Sequence, residues 1–397
     1  MLRLSAPMFK RTVKIILITF AFLVVGVLAI SEASPQDVGY VPLSPRQPSS
    51  TRLVSFDATS TITFTPVFTV WLPLVRRQYP PGLIAFVSDR DSRNEEIYTI
   101  KVDGTELRNL TNNLQRSDRY PAWSPDGDKI AFASYANGDY GIFVMNPDGT
   151  GTIRLTDNIV WGYSLAWSPN GTKIVFDALH SGNPEIYVMN ADGTELTNLS
   201  NNPARDSCPS WSPDGTRIAF WSERDGNSEV YIVNVDGTGL TNLTKNSALD
   251  TLSDLVTAWS PDGAKLVFNS FRDGNFEVYV MNADGTQPTN LTQRLGWDDN
   301  PTWSPDGSKI AFVAFSDDHR SVGISVMNSD GTGMTQLTLA SDLTLHTLPV
   351  WSPDGSQIAF EAYQDAQWEV YVMNADGSGL RNLTNNQFFD YFSAWQP

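Results

Sequence analysis

WSPDGDKIAF, at residues 123–132, is the stretch that decides the fold, because it returns along the chain in altered copies. Further copies begin at Trp167, Trp211, Trp259, Trp303 and Trp351. A truncated copy, WQP, occupies residues 395–397, so neighbouring tryptophans are 44 or 48 residues apart. A period of 40–50 residues with short strands is typical of a β-propeller.

Each repeat contains four segments with strand composition. The first ends at the tryptophan, the second resembles KIAFAS (129–134), the third IYVMN (186–190) and the fourth TELTNLS (194–200). All are rich in Ile, Val, Phe, Tyr and Thr, and none has the apolar spacing of a helix. The pattern predicts an all-β chain with four strands per repeat.

The repeated turn residues have a local explanation. In Ser-Pro-Asp-Gly, proline presets the φ angle of the second turn position, and glycine takes the position with positive φ. NADGT (190–194) follows the same logic between the third and fourth strands. The tryptophan supplies a large flat side chain to fill the wedge between neighbouring blades.

The two ends of the repeat region complement each other. Residues 83–113 hold the second, third and fourth strands of a unit but no tryptophan strand, whereas YFSAWQP (391–397) is a tryptophan strand with nothing after it. Pairing the C-terminal strand beside residues 83–88 would close a ring and remove exposed strand edges. We therefore expect a seven-bladed β-propeller.

Three segments divide the chain. Residues 1–33 combine a basic start with the apolar run 15–30 and a small-x-small cleavage site, which predicts a signal peptide, or a signal anchor if it is not cleaved. The proline-rich stretch 34–80 is read as an extended linker, and 81–397 as the propeller. The chain is expected to be exported to the periplasm, the cell envelope or the exterior, touching a membrane only through an uncleaved N-terminal segment.

The composition excludes some function classes. The 397 residues carry a formal net charge of −17, so a basic face for nucleic acid is not expected. Cys208 is the single cysteine, which excludes an internal disulfide and suggests a small buried side chain.

The pattern WSPDGxxIAF…IYVMNADG…LT resembles the PD40, or WD40-like, repeat of TolB-type β-propellers, and it covers residues 81–397. The resemblance implies a propeller in the envelope or outside the cell. In the Tol system, TolB docks a peptidoglycan-associated lipoprotein at its propeller. TolB itself has an α/β domain before six blades, whereas 34–80 is too short for such a domain. The chain therefore resembles a relative of TolB, and that specific partner does not transfer.

Two families of enzymes share this repeat. Prolyl-oligopeptidase-type peptidases need a Gly-x-Ser-x-Gly elbow, which GYSLA (162–166) fails to match. Oligogalacturonate lyases hold a metal with several histidines, and this chain has only His180, His319 and His346. We predict no enzyme activity, no cofactor and no metal site.

Alternating strands place the Ser-Pro-Asp-Gly and Asp-Gly-Thr hairpins on one face, called here the hairpin face. The opposite face, called the variable face, carries loops that differ in length and chemistry, which suggests recognition. Five positions before the tryptophans, a proposed collar at the channel mouth consists of Asp118, Asp206, Asp254, Asp298, His346 and Asp390. These residues either attract a cation or a basic partner, or they cap loop amides.

Arg90, Arg224 and Arg272 share one register in the loops between the second and third strands. They either bind a carboxylate or sugar acid, or pair with the collar. Trp161 and Trp297 lie in other variable loops and could stack on sugar rings. We expect a non-catalytic scaffold that binds a protein partner through the variable face and channel mouth, and the alternative is a propeller that binds or processes carbohydrate.

Overall fold

The computed structural model describes residues 82–91, 94–157, 164–179, 182–251, 258–317, 321–338, 345–364 and 366–397. Before residue 82 it describes only the backbone of an antiparallel pair, β1 (Lys14–Phe20) and β2 (Leu23–Ala29). Most of 1–33 and all of 34–80 therefore lie outside the described residues, and their assignments as signal segment and linker stay predictions. In the described part of the chain, no helix is long and apolar enough to cross a bilayer.

The remaining strands form seven four-stranded sheets, here called blades 1 to 7. Blade 1 contains β30 (Asp390–Trp395), β3 (Leu83–Ser88), β4 (Glu96–Lys101) and β5 (Arg108–Asn109). Blade 2 contains β6 (Ser117–Trp123), β7 (Ile130–Ala136), β8 (Asp139–Met145) and β9 (Ile153–Arg154). Blade 3 contains β10 (Leu165–Trp167), β11 (Lys173–Leu179), β12 (Pro184–Asn190) and β13 (Thr197–Asn198). Blade 4 contains β14 (Asp206–Trp211), β15 (Arg217–Ser222), β16 (Glu229–Asn234) and β17 (Thr241–Asn242).

Blade 5 contains β18 (Asp250–Thr251), β19 (Lys265–Ser270), β20 (Glu277–Asn282) and β21 (Thr289–Asn290). Blade 6 contains β22 (Asp298–Trp303), β23 (Lys309–Phe315), β24 (Val322–Asn328) and β25 (Thr335–Gln336). Blade 7 contains β26 (Leu345–Trp351), β27 (Gln357–Gln364), β28 (Gln367–Asn374) and β29 (Arg381–Asn382). Neighbouring strands are antiparallel, so loops alternate between the hairpin face and the variable face. The prediction of an all-β, seven-bladed propeller is confirmed.

The ring closes as the sequence predicts. In blade 1, β30 pairs with β3, with Ile84 opposite Trp395 and Ser88 opposite Asp390. The Gln396 backbone N–H then donates to the Leu83 carbonyl at 2.9 Å, and its side-chain amide donates to the Gly127 carbonyl at 3.2 Å. The residues after Trp395 therefore contact the blade 2 hairpin.

The hydrophobic core consists of layers between blades. Seven clusters of buried side chains each span two neighbouring blades, and one of them joins blade 7 to blade 1 through Val370, Phe86 and Trp395. Each second strand contributes an almost fully buried phenylalanine, such as Phe86 or Phe220. Burying these apolar faces between blades is the main favourable contribution to the fold.

The repeat tryptophans also carry a polar contact between blades. The indole Nε1–H of Trp123 donates to the Ala394 carbonyl at 3.1 Å, and that of Trp211 donates to the Ala166 carbonyl at 3.1 Å. The same bond to the preceding blade is made by Trp167, Trp259, Trp351 and Trp395. Each of these six tryptophans thus fills the wedge and satisfies a carbonyl of the neighbouring blade.

The Ser-Pro-Asp-Gly turns form as predicted. In blade 4, Gly215 has a φ of +69° and its N–H donates to the Ser212 carbonyl at 2.8 Å. The Ser212 hydroxyl donates to Asp214 at 2.6 Å and accepts the Arg217 N–H at 2.9 Å. The repeated serine, aspartate and glycine are therefore explained by turn closure.

Candidate functional site

The proposed collar residues lie where the innermost strands begin. Asp206, Asp298 and Asp390 are the first residues of β14, β22 and β30. Asp118 and His346 are the second residues of β6 and β26. All five side chains are at most 2% exposed, so their carboxylates and imidazole lie within the protein and not on an open surface.

In blade 5 the equivalent position belongs to Asp250. It is the first residue of β18 and is fully buried, and Arg272 pairs with it. The four extra residues of this unit fall between Asp250 and Trp259, so counting five positions back from the tryptophan reaches Asp254 instead. Asp254 lies outside the described residues, and its binding role stays a prediction.

Three arginines of the second-to-third-strand loops pair with these buried acids. The pairs are Arg90–Asp390 at 2.8 Å, Arg224–Asp206 at 3.1 Å and Arg272–Asp250 at 3.1 Å. Each arginine Nε–H also donates to a serine hydroxyl at the end of the second strand. Of the two alternatives for the arginines, the structure shows the internal pair, and binding of an external carboxylate or sugar acid stays a prediction.

Aromatic rings complete these pairs. The Arg224 guanidinium carbon lies 4.8 Å from the Tyr231 ring centroid, and Arg272 lies 4.6 Å from that of Tyr279. The Tyr231 hydroxyl donates to Asp225, which also accepts the Asn242 side-chain amide at 2.8 Å. Each of these guanidinium groups lies over an aromatic ring and pairs with a buried carboxylate, so its position is fixed in the folded chain. The arginine–aspartate pairs therefore stabilise the propeller.

Blades 2 and 6 also carry an aspartate at this position but pair it differently. In blade 2, Arg116 pairs with the exposed Asp139 at 2.9 Å, and the buried Asp118 Oδ1 has no hydrogen-bond partner. Burial raises the pKa of Asp118. In blade 6, Arg294 from the preceding loop donates to Asp298 at 3.1 Å, and the buried Oδ2 has no partner. Burial raises the pKa of Asp298 to about 7 despite that arginine.

Replacing Asp298 with asparagine is expected to remove part of the pH dependence of stability. The unfolded carboxyl has a pKa of about 3.9, so between about pH 4 and pH 7 the folded chain holds a proton that the unfolded chain has released. The contribution of Asp298 to the free energy of unfolding should therefore fall as pH rises through this window, by up to about 1.4 kcal/mol per pH unit, and the asparagine variant should lack this contribution. Urea unfolding of parent and variant across the window measures the difference.

His346 supplies the control for this experiment. Its Nδ1 lies 2.6 Å from the Thr338 hydroxyl, and burial lowers its pKa to about 4. A histidine whose folded pKa is lowered contributes stability above its unfolded pKa of about 6.5 and loses it as pH falls. His346→Gln should therefore change the slope of the free energy of unfolding against pH in the sense opposite to that of Asp298→Asn. Equal pH profiles for the parent and Asp298→Asn would refute the prediction.

A cavity of about 760 Å³ opens where inner strands of blades 1, 2, 6 and 7 meet. Its walls include the ion pair of Glu95 with Arg119, and the Tyr391 hydroxyl donates to the same glutamate. Asp89 and Glu361 add two more carboxylates. This cavity is here called the channel mouth, and its carboxylates outnumber its one cation.

The inner strands bend at this level. The pairing register shifts between Asp299 and Thr302, and between Thr347 and Val350, which marks β-bulges. Asn300 and Leu348 sit at these bulges with φ of +51° and +50°, and both line the channel mouth. Tyr120 and Cys208 have φ of +56° and +57° at the same position of blades 2 and 4, so this bulge is a feature of the repeat and the side chains it presents are what differ between blades.

These bulge residues were missed by sequence reasoning. They lie three positions before the tryptophan, where the chemistry changes from blade to blade, whereas the aspartates five positions before it are nearly constant. In four blades a proline follows directly, as in Asn300-Pro301 and Leu348-Pro349. Variation at one register, flanked by constant residues, is the signal that would have identified them.

A second cavity, of about 250 Å³, lies between blades 2 and 3 and is lined by Tyr120, Tyr135, Tyr140 and Phe176. Tyr135 and Tyr140 stack with ring centroids 4.1 Å apart. Trp161, one of the two residues proposed to stack on sugar rings, lies outside the described residues. Among the described residues there is no group of three His, Cys, Asp or Glu side chains placed to hold a metal ion.

Trp297 is 44% exposed and lies on the variable face, immediately before β22. Its ring makes edge-to-face contacts with Phe276 at 6.1 Å and Phe315 at 6.2 Å. The lining of the channel mouth includes neither Trp297 nor the five described collar residues. Trp297 belongs to a separate aromatic group between blades 5 and 6.

Comparisons with known proteins agree with this architecture. The family model described as PD40, the TolB beta propeller domain, matches residues 160–255 and 250–385, more than half of the chain. The Tol-Pal system protein TolB of Syntrophus aciditrophicus is 36% identical over 76 residues, which cover 18% of this chain and 16% of that protein. The chain therefore aligns with less than a fifth of the length of the curated relatives it matches.

Solved structures show the same fold. TolB from Acinetobacter baumannii superposes with a TM-score of 0.54 at 20% identity, covering 80% of this chain and 67% of that one. An oligogalacturonate lyase from Vibrio parahaemolyticus superposes with a TM-score of 0.56 at 14% identity, covering 77% and 86%. At such identities these likenesses concern the fold alone.

Proposed function

We propose that this chain, which belongs to the PD40 family of TolB beta propeller domains, is an exported, non-catalytic scaffold that recognises another protein through its variable face and channel mouth. Export is supported by the basic start and the apolar run at 15–30. A protein partner is in keeping with the relative of Syntrophus aciditrophicus, whose name places it in the Tol-Pal system.

The observation that carries this proposal is the contrast between the two faces. Turn hairpins on the hairpin face repeat from blade to blade, whereas the side chains at the bulge register change, and Asn300 and Leu348 line the channel mouth. Ring closure alone does not require different side chains there. Recognition of one particular ligand does require them.

The ligand class follows from the walls of the channel mouth. Asp89, Glu95 and Glu361 face one cation, Arg119, and Trp368 and Leu348 add apolar surface. A protein segment that presents lysine or arginine beside an apolar side chain complements both features. The non-catalytic reading is supported by the interior acids, because Asp206, Asp250 and Asp390 are already paired with arginines.

The test is capture of a partner from envelope and secreted fractions on the immobilised chain, with proteins and glycans both identified. Leu348→Asn should weaken capture at least about tenfold, because asparagine tolerates positive φ but removes the apolar contact. Leu380→Asn is the control for the substitution itself, since Leu380 lies next to the hairpin face and is 46% exposed, whereas Leu348 is half-buried. A single saturable protein that is lost only with Leu348→Asn supports the proposal.

Carbohydrate binding is the second candidate, favoured by the half-exposed Trp297 and by Trp368, whose ring lies tilted against Tyr363 with centroids 5.4 Å apart. In the same capture, a glycan recovered without any protein would replace the leading proposal. Equal capture by parent, Leu348→Asn and Leu380→Asn would exclude the channel mouth as the binding site.

A further inference from the structure

Four aromatic rings form a continuous group across the boundary between blades 5 and 6 on the variable face. Phe271 and Phe276 are 5.2 Å apart, Trp297 follows at 6.1 Å from Phe276, and Phe315 lies 6.2 Å from Trp297. All three contacts are edge-to-face, the favourable geometry for aromatic pairs. These four residues are here called the aromatic patch.

Backbone contacts hold the patch rigidly. The Phe271 N–H donates to the Leu249 carbonyl at 2.9 Å, and the Phe315 N–H donates to the Trp297 carbonyl at 2.8 Å. At Gly296 an added Cβ would lie 2.1 Å from the Phe315 carbonyl oxygen, so only glycine permits this approach. A surface fixed in this way loses little conformational entropy when it binds a ligand.

The fold does not need aromatic residues at these positions. Phe271 follows the second strand and Phe276 precedes the third. The same two positions hold Asp89 and Glu95 in blade 1, whose strands pair in the same register. In blade 4 they hold Glu223 and Ser228. Blade closure is therefore compatible with charged or polar residues there, and the rings need another explanation.

The patch exposes its tryptophan, its three phenylalanines are half-buried, and its edges are apolar. Trp297 is 44% exposed, and the flanking Leu249 and Leu295 are 45% and 76% exposed. Exposed aromatic and aliphatic side chains that lie together mark interaction sites, whereas isolated ones do not.

The charges around the patch are acidic. Arg272 of the adjoining loops pairs with the buried Asp250, and Arg294, which contacts the buried Asp298, adds at most one positive charge. Asp273 and Asp317 are exposed in the same loops. Among the described residues, the net charge offered to a ligand here is therefore negative, and a partner with lysine or arginine at the edge of its apolar surface is complementary.

We propose that the aromatic patch, with Leu249 and Leu295, is a second docking site for the protein partner and takes a segment in which large apolar side chains are flanked by lysine or arginine. This inference rests on the proposed function and adds a site apart from the channel mouth. Aromatic side chains are the residues that most often dominate the energy of such interfaces.

The test uses a fluorescent synthetic peptide with a leucine and tryptophan core and lysines at both ends, titrated with the full chain by anisotropy. A peptide with glutamates in place of the lysines is its matched partner. The lysine peptide should bind at least about tenfold more tightly than the glutamate peptide. A photoreactive leucine in the core should cross-link to residues 271–276 or 294–297.

Leu295→Ser and Trp297→Ala should each weaken binding of the lysine peptide at least about fivefold, and Leu107→Ser should not. Leu107 is a matched control because it is 44% exposed in the hairpin-face region before β5. Leu295→Ser cannot unfold the chain by removing packing, since that side chain is 76% exposed. Unchanged affinity in both patch variants, or displacement by a neutral oligosaccharide but not by unlabelled peptide, would overturn the inference.

Partner capture separates this inference from the proposed function. If Leu348→Asn abolishes capture while Leu295→Ser and Trp297→Ala leave it unchanged, the channel mouth is the binding site and the patch is not part of it. If the patch variants alone weaken capture, the patch stands and the channel-mouth proposal fails. Loss of capture in both sets supports both sites.

Discussion

A chain that lacks residues 390–397 is expected not to hold a folded, monomeric propeller at 25 °C. The deletion removes β30, the innermost strand of blade 1, and leaves the inner edge of β3 without a partner. It also removes Trp395 from the core layer between blades 7 and 1, the Ala394 carbonyl that accepts the Trp123 indole, and Asp390, the partner of Arg90. Together these losses exceed the roughly 5–15 kcal/mol by which a domain is usually stable.

Size-exclusion chromatography and circular dichroism on heating measure this outcome. We expect aggregates or a non-cooperative melt, because an unpaired buried edge strand recruits other chains. The graded variant Trp395→Ala should cost about 3–5 kcal/mol. Trp395→Phe keeps most of the ring but loses the bond to the Val350 carbonyl, which should cost about 1 kcal/mol. A truncated chain that elutes as a monomer and melts like the parent would show that closure is dispensable.

Much of the fold could be predicted because each blade repeats the same local chemistry. Turn residues such as Gly215 define hairpins through their own backbone preferences, so a local pattern is enough to place strands. Ring closure followed from an incomplete first unit and an incomplete last one. The indole bonds to the preceding blade were not predicted, since they depend on the spacing of two blades and not on a local pattern.

The candidate site was predicted less completely, for two physical reasons. Counting back from Trp259 led to Asp254, because sequence spacing does not show that the extra residues fall after the start of β18, where Asp250 pairs with Arg272. Burial was the second reason: the aspartates look like an acidic ring, and the structure encloses them. The bulges at Asn300 and Leu348 depend on strand register, which no single repeat encodes.

Replacing Arg224 with alanine is expected to cost about 3–5 kcal/mol, because it leaves the fully buried Asp206 without its charge partner. The Arg224 side chain is only 10% exposed, contacts both carboxylate oxygens at 3.1 Å, and stacks over Tyr231. Burial already raises the pKa of Asp206 with the arginine present. Removing the arginine should raise it further, so the variant should regain stability as pH falls and the carboxyl takes up a proton.

A double-mutant cycle by urea unfolding separates the pair from simple loss of packing. Asp206→Asn in the Arg224→Ala background should restore part of the lost stability, because it removes the buried charge while keeping the shape of the side chain. Glu106→Ala is the surface control: its pair with Lys101 is 42% and 31% exposed, and its loss should cost less than about 1 kcal/mol. If Arg224→Ala costs no more free energy of unfolding than Glu106→Ala, or if Asp206→Asn destabilises the Arg224→Ala chain further, the arginine pairs contribute no more than exposed ion pairs. They would then be free to serve the ligand-binding role that the sequence also allowed.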